Sequence, residues 1–176
     1  MKIKPLAISA LVTAALAVAA PANAASYSYD FVGTGYEVTG LVTATDLLNA
    51  VGGYDILGIT GTVSGLGGGA ISGLVANPIQ PNPTTDYGFI YDNVGFLTTP
   101  HLNTNGVLFQ TADGAKWNLW GISANDYELY SYGTDTRSGI EVHGMLTVTA
   151  VPEPETYAMM LAGLGLVGFM ARRRKI

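Results

Sequence analysis

The chain has 176 residues, 12% of them charged, a formal net charge of −5 and no cysteine. Six of the eight basic residues (Lys2, Lys4, Arg172, Arg173, Arg174 and Lys175) sit at the ends, leaving Lys116 and Arg137 against eleven acids from Asp30 to Glu141, a balance of 2 − 11 = −9. A body so acidic repels phosphate backbones, which argues against nucleic-acid binding, and without cysteine it has no disulfide, thiolate metal site or Cys nucleophile.

At the start, Lys2 and Lys4 precede an apolar run from Leu6 to Ala20, and Ala22-Asn23-Ala24 supplies the small residues that signal peptidase accepts. Residues 1–24 therefore read as a secretory signal peptide, with Ala22 and Ala24 specifying one cleavage and the mature chain beginning near Ala25. The body, 25–150, is one domain's worth of chain, enough to bury a core.

Short alternating segments fill that body. In Ser26–Val32, Tyr27, Tyr29 and Phe31 alternate with polar residues, the period of a half-buried strand. Further strands are expected over 36–43, 54–63, 70–75, 87–91, 106–111, 116–122 and 127–132. In 139–149, Ile140, Val142, Gly144, Leu146 and Val148 share one face, and Glu141, His143, Met145, Thr147 and Thr149 the other. With twenty glycines in the body, the pattern predicts an all-β domain, an antiparallel β-sandwich or jelly-roll-like fold. The best helical segment is 46–51 after Thr45, stopped by Gly52-Gly53: one or two turns at most, or none. The stretch 77–85 holds three prolines and reads as a long loop. Its nearness to Asp86 and Asp92 makes this the expected functional edge and those two carboxylates candidates for calcium, although they lack the dense spacing of calcium loops.

Trp117 and Trp120 are three apart, so on a strand they point to opposite faces and at most one is core. Farther on, Tyr130 and Tyr132 share a strand face with Glu128. An exposed aromatic row beside carboxylates suits carbohydrate, since ring faces meet sugar C–H groups while acids accept hydroxyl bonds. Trp117, Trp120, Tyr130 and Tyr132 are thus candidate carbohydrate-binding residues. Tyrosines also populate strands simply because they fit a pleated surface.

The chain closes with Val151-Pro152-Glu153-Pro154, an uncharged run Tyr157–Ala171, and the cations Arg172, Arg173, Arg174 and Lys175. This divides the tail into a linker (151–156), a transmembrane helix (157–171) and a basic cytoplasmic end (172–176). Fifteen residues at about 1.5 Å each reach only about 23 Å against a hydrocarbon core of about 30 Å, a thin span with the body on the outer side. The two ends together resemble the PEP-CTERM family of exported bacterial proteins. The resemblance implies processing near Val151, Pro152, Glu153 and Pro154 by exosortase, a membrane-embedded cysteine-dependent transpeptidase. It also implies transient anchoring in the inner membrane with a periplasmic body, then a mature form on the outer surface or in an exopolysaccharide or biofilm matrix.

Catalytic signals are sparse. Gly163-Leu164-Gly165-Leu166-Val167-Gly168 has dinucleotide-binding spacing but follows no strand, and the small residues Ala158, Ala162 and Gly165 suit close helix packing instead. His101 lies in a loop, and Glu141 and His143 share a strand face as a potential pair without a second ligand at metal spacing. The expectation is therefore a non-enzymatic structural or adhesive surface protein without cofactor or resident metal, whose partners are signal peptidase, exosortase and the inner membrane. The alternatives are a lectin-like module binding exopolysaccharide and, behind it, a secreted hydrolase.

Overall fold

The computed structural model describes residues 24–86, 88–132, 139–152 and 154–173. Eight strands form a closed antiparallel barrel: β1 (Ala25–Gly33), β2 (Tyr36–Ala44), β3 (Tyr54–Ser64), β4 (Gly69–Leu74), β8 (Val107–Thr111), β9 (Lys116–Ser123), β10 (Asp126–Tyr132) and β11 (Ile140–Val151). Each pairs with the next, β11 returns to β1, and β2 pairs with both β1 and β3, so the circle has no open edge. The route is up and down, broken once between β4 and β8 by the hairpin β5 (Thr84–Asp86) and β6 (Phe89–Tyr91) and by β7 (Val94–Gly95), which pairs with β3.

The expected sandwich or jelly roll is thus corrected to a single closed barrel. Half-buried strands alternate in the same way in both architectures, and closure depends on pairings such as Ser26 with Val151 that join the two ends of the body. Closure also needs close backbone approach. Gly40 and Gly61 face each other across β2 and β3, a side-chain carbon at either would run into the opposite strand's carbonyl, and Gly61 has φ 143°.

At 46–51, where a turn or two of helix or none was expected, no helix forms. Asn49 Oδ1 instead accepts the Val51 and Gly53 N–H groups, and the Thr45 hydroxyl oxygen accepts the Asp55 N–H, so side chains stitch the β2–β3 connection as a turn.

Inward residues of every barrel strand meet in one core. Phe31, Val38, Phe109, Trp117, Tyr127 and Leu129 are among those wholly removed from solvent. Each large apolar side chain so buried contributes about 1.5–3 kcal/mol, the main stabilising term in a body without disulfides. On β11, Val142 and Leu146 point inward while Glu141, His143, Met145 and Thr147 face out, as the alternation predicts.

After Val151, the last residue of β11, the chain enters α1 (Pro154–Arg173). The helix begins three residues before the expected start because proline, with its fixed φ and no N–H to leave unpaired, suits the first helical position. Its described residues from Tyr157 on are exposed. The expectation of a membrane span is corrected as well: among the described residues, no helix is long and apolar enough to cross a membrane. The uncharged run between Glu155 and Arg172 stops at 16 residues, with three glycines inside it, so extending it lowers the mean hydropathy.

Candidate functional site

The β5–β6 hairpin lies against the outside of the barrel wall and is fastened there by three kinds of contact. Asp86 forms an ion pair with Lys116 at the start of β9. Phe89 and Tyr91 pack on the outward Leu108 with Val75 and Tyr130, a small second core outside the barrel. The Asn118 amide donates to the carbonyls of Asn105 at 3.2 Å and Ile90 at 3.4 Å.

Between hairpin and wall runs an open cleft of about 400 Å³. One side is Gly88, Phe89 and Ile90; the wall side presents Asn118, Trp120, Glu128 and Tyr130, with Thr104 also lining it. Register sets the wall: Glu128 lies opposite Trp120 and Tyr130 opposite Asn118, so all four share the outer face. Tyr130 meets Phe89 edge to face at 5.6 Å and lies 6.4 Å from Trp120 at 44°. Three aromatic rings and a carboxylate thus converge on a surface groove. Burial, reinforced by the negative charge of Glu141, pushes the Glu128 carboxyl above its ordinary value.

Of the four residues expected to contact carbohydrate, Trp120 and Tyr130 are in the cleft. Trp117 is not: it points into the barrel, is fully buried and packs against Tyr36 at 6.1 Å, which removes it from the candidate set. The side chain of Tyr132 lies outside the described residues. Phe89, Ile90, Thr104 and Asn118 were not anticipated; Asn118 shares the face of Trp120 by alternation along β9, whereas Phe89 and Ile90 reach it only through the docking of the hairpin.

The calcium candidates are also corrected. Asp86 is committed to Lys116. Asp92 is buried and accepts hydrogen bonds from Asn103 Nδ2 at 2.6 Å, Asn105 Nδ2 at 2.9 Å and the Val94 N–H at 3.1 Å, which satisfies its carboxylate from within the chain. The neighbouring Asn93, at φ 57°, donates to the Val75 carbonyl and accepts the Leu108 N–H, so the expected functional edge is largely scaffold for the cleft. His101 likewise serves its own loop, its Nδ1 lying 3.0 Å from the Phe96 carbonyl.

Glu141 and His143 share a face as expected, and the fold adds two carboxylates from β10. His143 Nδ1 lies 3.0 Å from Asp126 Oδ1, and Nε2 lies 3.8 Å from Glu141 and 4.0 Å from Glu128. The hydrogen bond to Asp126 holds the imidazole pKa above its ordinary value. One donor atom from each of Glu128, Glu141 and His143 falls within 4.8 Å of the others, a spacing that can chelate a cation. His143 and Glu141 are exposed, however, and a solvated group of this kind does not by itself make a metal site.

The sorting residues occupy the seam between barrel and helix. Val151 pairs with Ser26 at the end of β11, Pro152 is exposed outside any element, and Pro154 opens α1. Arg172 and Arg173 end the helix, while Glu153, Arg174, Lys175 and the leader residue Ala22 lie outside the described residues; Ala24 is exposed just before β1. Residues 150–175 match the family model described as the PEP-CTERM protein-sorting motif. The motif marks the chain as an exosortase-targeted, exported surface protein. No curated protein and no solved structure matches the chain.

Proposed function

We propose that this chain is a non-enzymatic adhesive protein of the cell surface or exopolysaccharide matrix, whose barrel holds polysaccharide in the outer cleft. The carrying observation is the convergence of Phe89, Trp120 and Tyr130 with Glu128 along an open groove, in a chain that ends in an exosortase motif. The part-exposed rings of Trp120 and Tyr130 stack on the apolar faces of sugars, Glu128 supplies a hydroxyl partner, and an open cleft accepts a chain interior as readily as a chain end.

In this reading signal peptidase removes residues 1–24. Exosortase at the inner membrane then cuts near Val151–Pro154, and the barrel passes to the outer surface or the matrix. Because β1 starts at Ala25 and β11 ends at Val151, a cut after Ala24 and one beyond Val151 leave the barrel pairing intact.

Retention of the purified protein on immobilised polysaccharides, with and without calcium, tests the cleft. Trp120→Ala should weaken retention about tenfold, the loss of one stacked ring at about 1–1.5 kcal/mol, and Glu128→Gln less. No retention on any polysaccharide under either condition refutes the binding role and leaves a purely structural matrix protein, the second reading. Mass spectrometry of the C-terminus from hosts with and without exosortase tests processing, and an intact tail in both refutes it.

A further inference from the structure

The barrel interior is not filled evenly. Toward the pole where β11 leaves for the sorting tail, an apolar cavity of about 60 Å³ remains. Its floor is made by the aliphatic side chains of Ile59, Leu119 and Leu146, and Ala44, Phe96 and Val148 stand nearer the rim. One wall is the irregular segment from Phe96 to Leu102 rather than a strand. That segment is held by the His101 N–H, which donates to the Tyr127 hydroxyl oxygen at 2.8 Å, and by the bridge of Leu102 to Gly95.

Three features set this space apart from a packing defect. The core beyond it is closed by large, fully buried side chains, so the void is confined to one pole. Its surface offers almost no hydrogen-bond partner, and a water needs two to four. At the same pole four apolar side chains stand out in solvent, Leu47 (80% exposed), Leu48, Val51 and Leu97. The first three belong to the turn between cavity-lining Ala44 and Tyr54, and Leu97 itself lines the cavity. An apolar rim leading into an apolar chamber favours an apolar guest on both sides of the threshold.

We propose that this pole of the barrel is a binding pocket for a small uncharged apolar molecule. A water needs about 10–15 Å³ of such space and fills about 30 Å³ of liquid, so the chamber takes roughly 120–180 Å³ of guest, one aromatic ring or a chain of five or six carbons. The charge of the guest is set by the entrance. Asp46 precedes Leu47 in the chain and its negative charge acts on the cavity-lining Tyr27, beside Tyr54, so a carboxylate head meets like charge while a hydroxyl or a hydrocarbon end does not. This site lies inside the wall whose outer face carries the polysaccharide cleft, and it stands whether or not that cleft binds sugar.

The test is titration of the purified full-length chain with benzene, 1-hexanol and sodium hexanoate, read by methyl NMR shifts of Ile59, Leu102 and Val148. Benzene and 1-hexanol should give saturable shifts, hexanoate at least tenfold weaker ones. Ala44→Leu and Val148→Phe each fill the chamber and should weaken benzene binding at least tenfold; two variants keep the test readable if one fails to fold. Absence of saturable shifts, affinity unchanged in the filled variants, or hexanoate binding as well as hexanol would overturn the proposal.

Discussion

The barrel and the tail that follows it are specified in opposite ways. The barrel is held by contacts between residues far apart in the chain: β1 pairs with β11, and Trp117 packs on Tyr36. In the tail, the described residues of α1 from Tyr157 on stay exposed, and its information lies in the order of residues along the chain. The helix from Tyr157 on stays free of the fold it is attached to, whereas the cleft cannot exist without that fold. The single polypeptide therefore has one part that tolerates no change of shape and another that needs none.

That contrast can be broken first at the barrel seam. Gly61→Val puts a branched side chain against the Thr39 carbonyl at a φ of 143°, so the barrel should fail to close, read as loss of the cooperative thermal transition. A variant that melts like the parent would show that β2 and β3 can part without cost. Next comes the scaffold of the cleft: Asp92→Ala leaves the amides of Asn103 and Asn105 without their buried acceptor and should cost about 2–3 kcal/mol in urea unfolding.

A smaller effect concerns His143, whose pKa is raised in the folded chain. Its contribution to stability is full below the ordinary value of 6.5 and is lost as pH rises through the raised one. Asp126→Asn should return the midpoint of its NMR titration toward 6.5, and an unmoved midpoint would assign the shift to Glu128 and Glu141 instead. The smallest effect sharpens the comparison most. Deleting residues 152–176 should move the melting temperature by less than about 2 °C, and a larger fall would mean that α1 supports the barrel.

What could be read in advance follows the same division. The tail was legible because proline spacing and a block of cations are linear signals. Strand faces were legible where alternation was strict, as in Ile140–Val148, and the opposite orientations of Trp117 and Trp120 followed from their spacing. Closure was not legible, because alternation shows that a residue points inward without showing what completes the wall. Half of the cleft escaped for a related reason: Trp120, Glu128 and Tyr130 share a face by period, but Phe89 and Ile90 arrive only through the Lys116–Asp86 pair and the packing on Leu108. Asp86 and Asp92 looked available for a cation only while Lys116, Asn103 and Asn105 were distant in the chain.

The pairing of Ser26 with Val151 brings the first and last strands side by side. A body whose two ends meet at one place can be opened elsewhere and sealed there: a short peptide joining residue 25 to residue 151 would make a circular protein, and new ends cut into an exposed turn such as 34–35 would leave every rung of the ladder in place. The same adjacency means that whatever is grafted after Val151 will stand beside Ala25, at the same pole of the barrel.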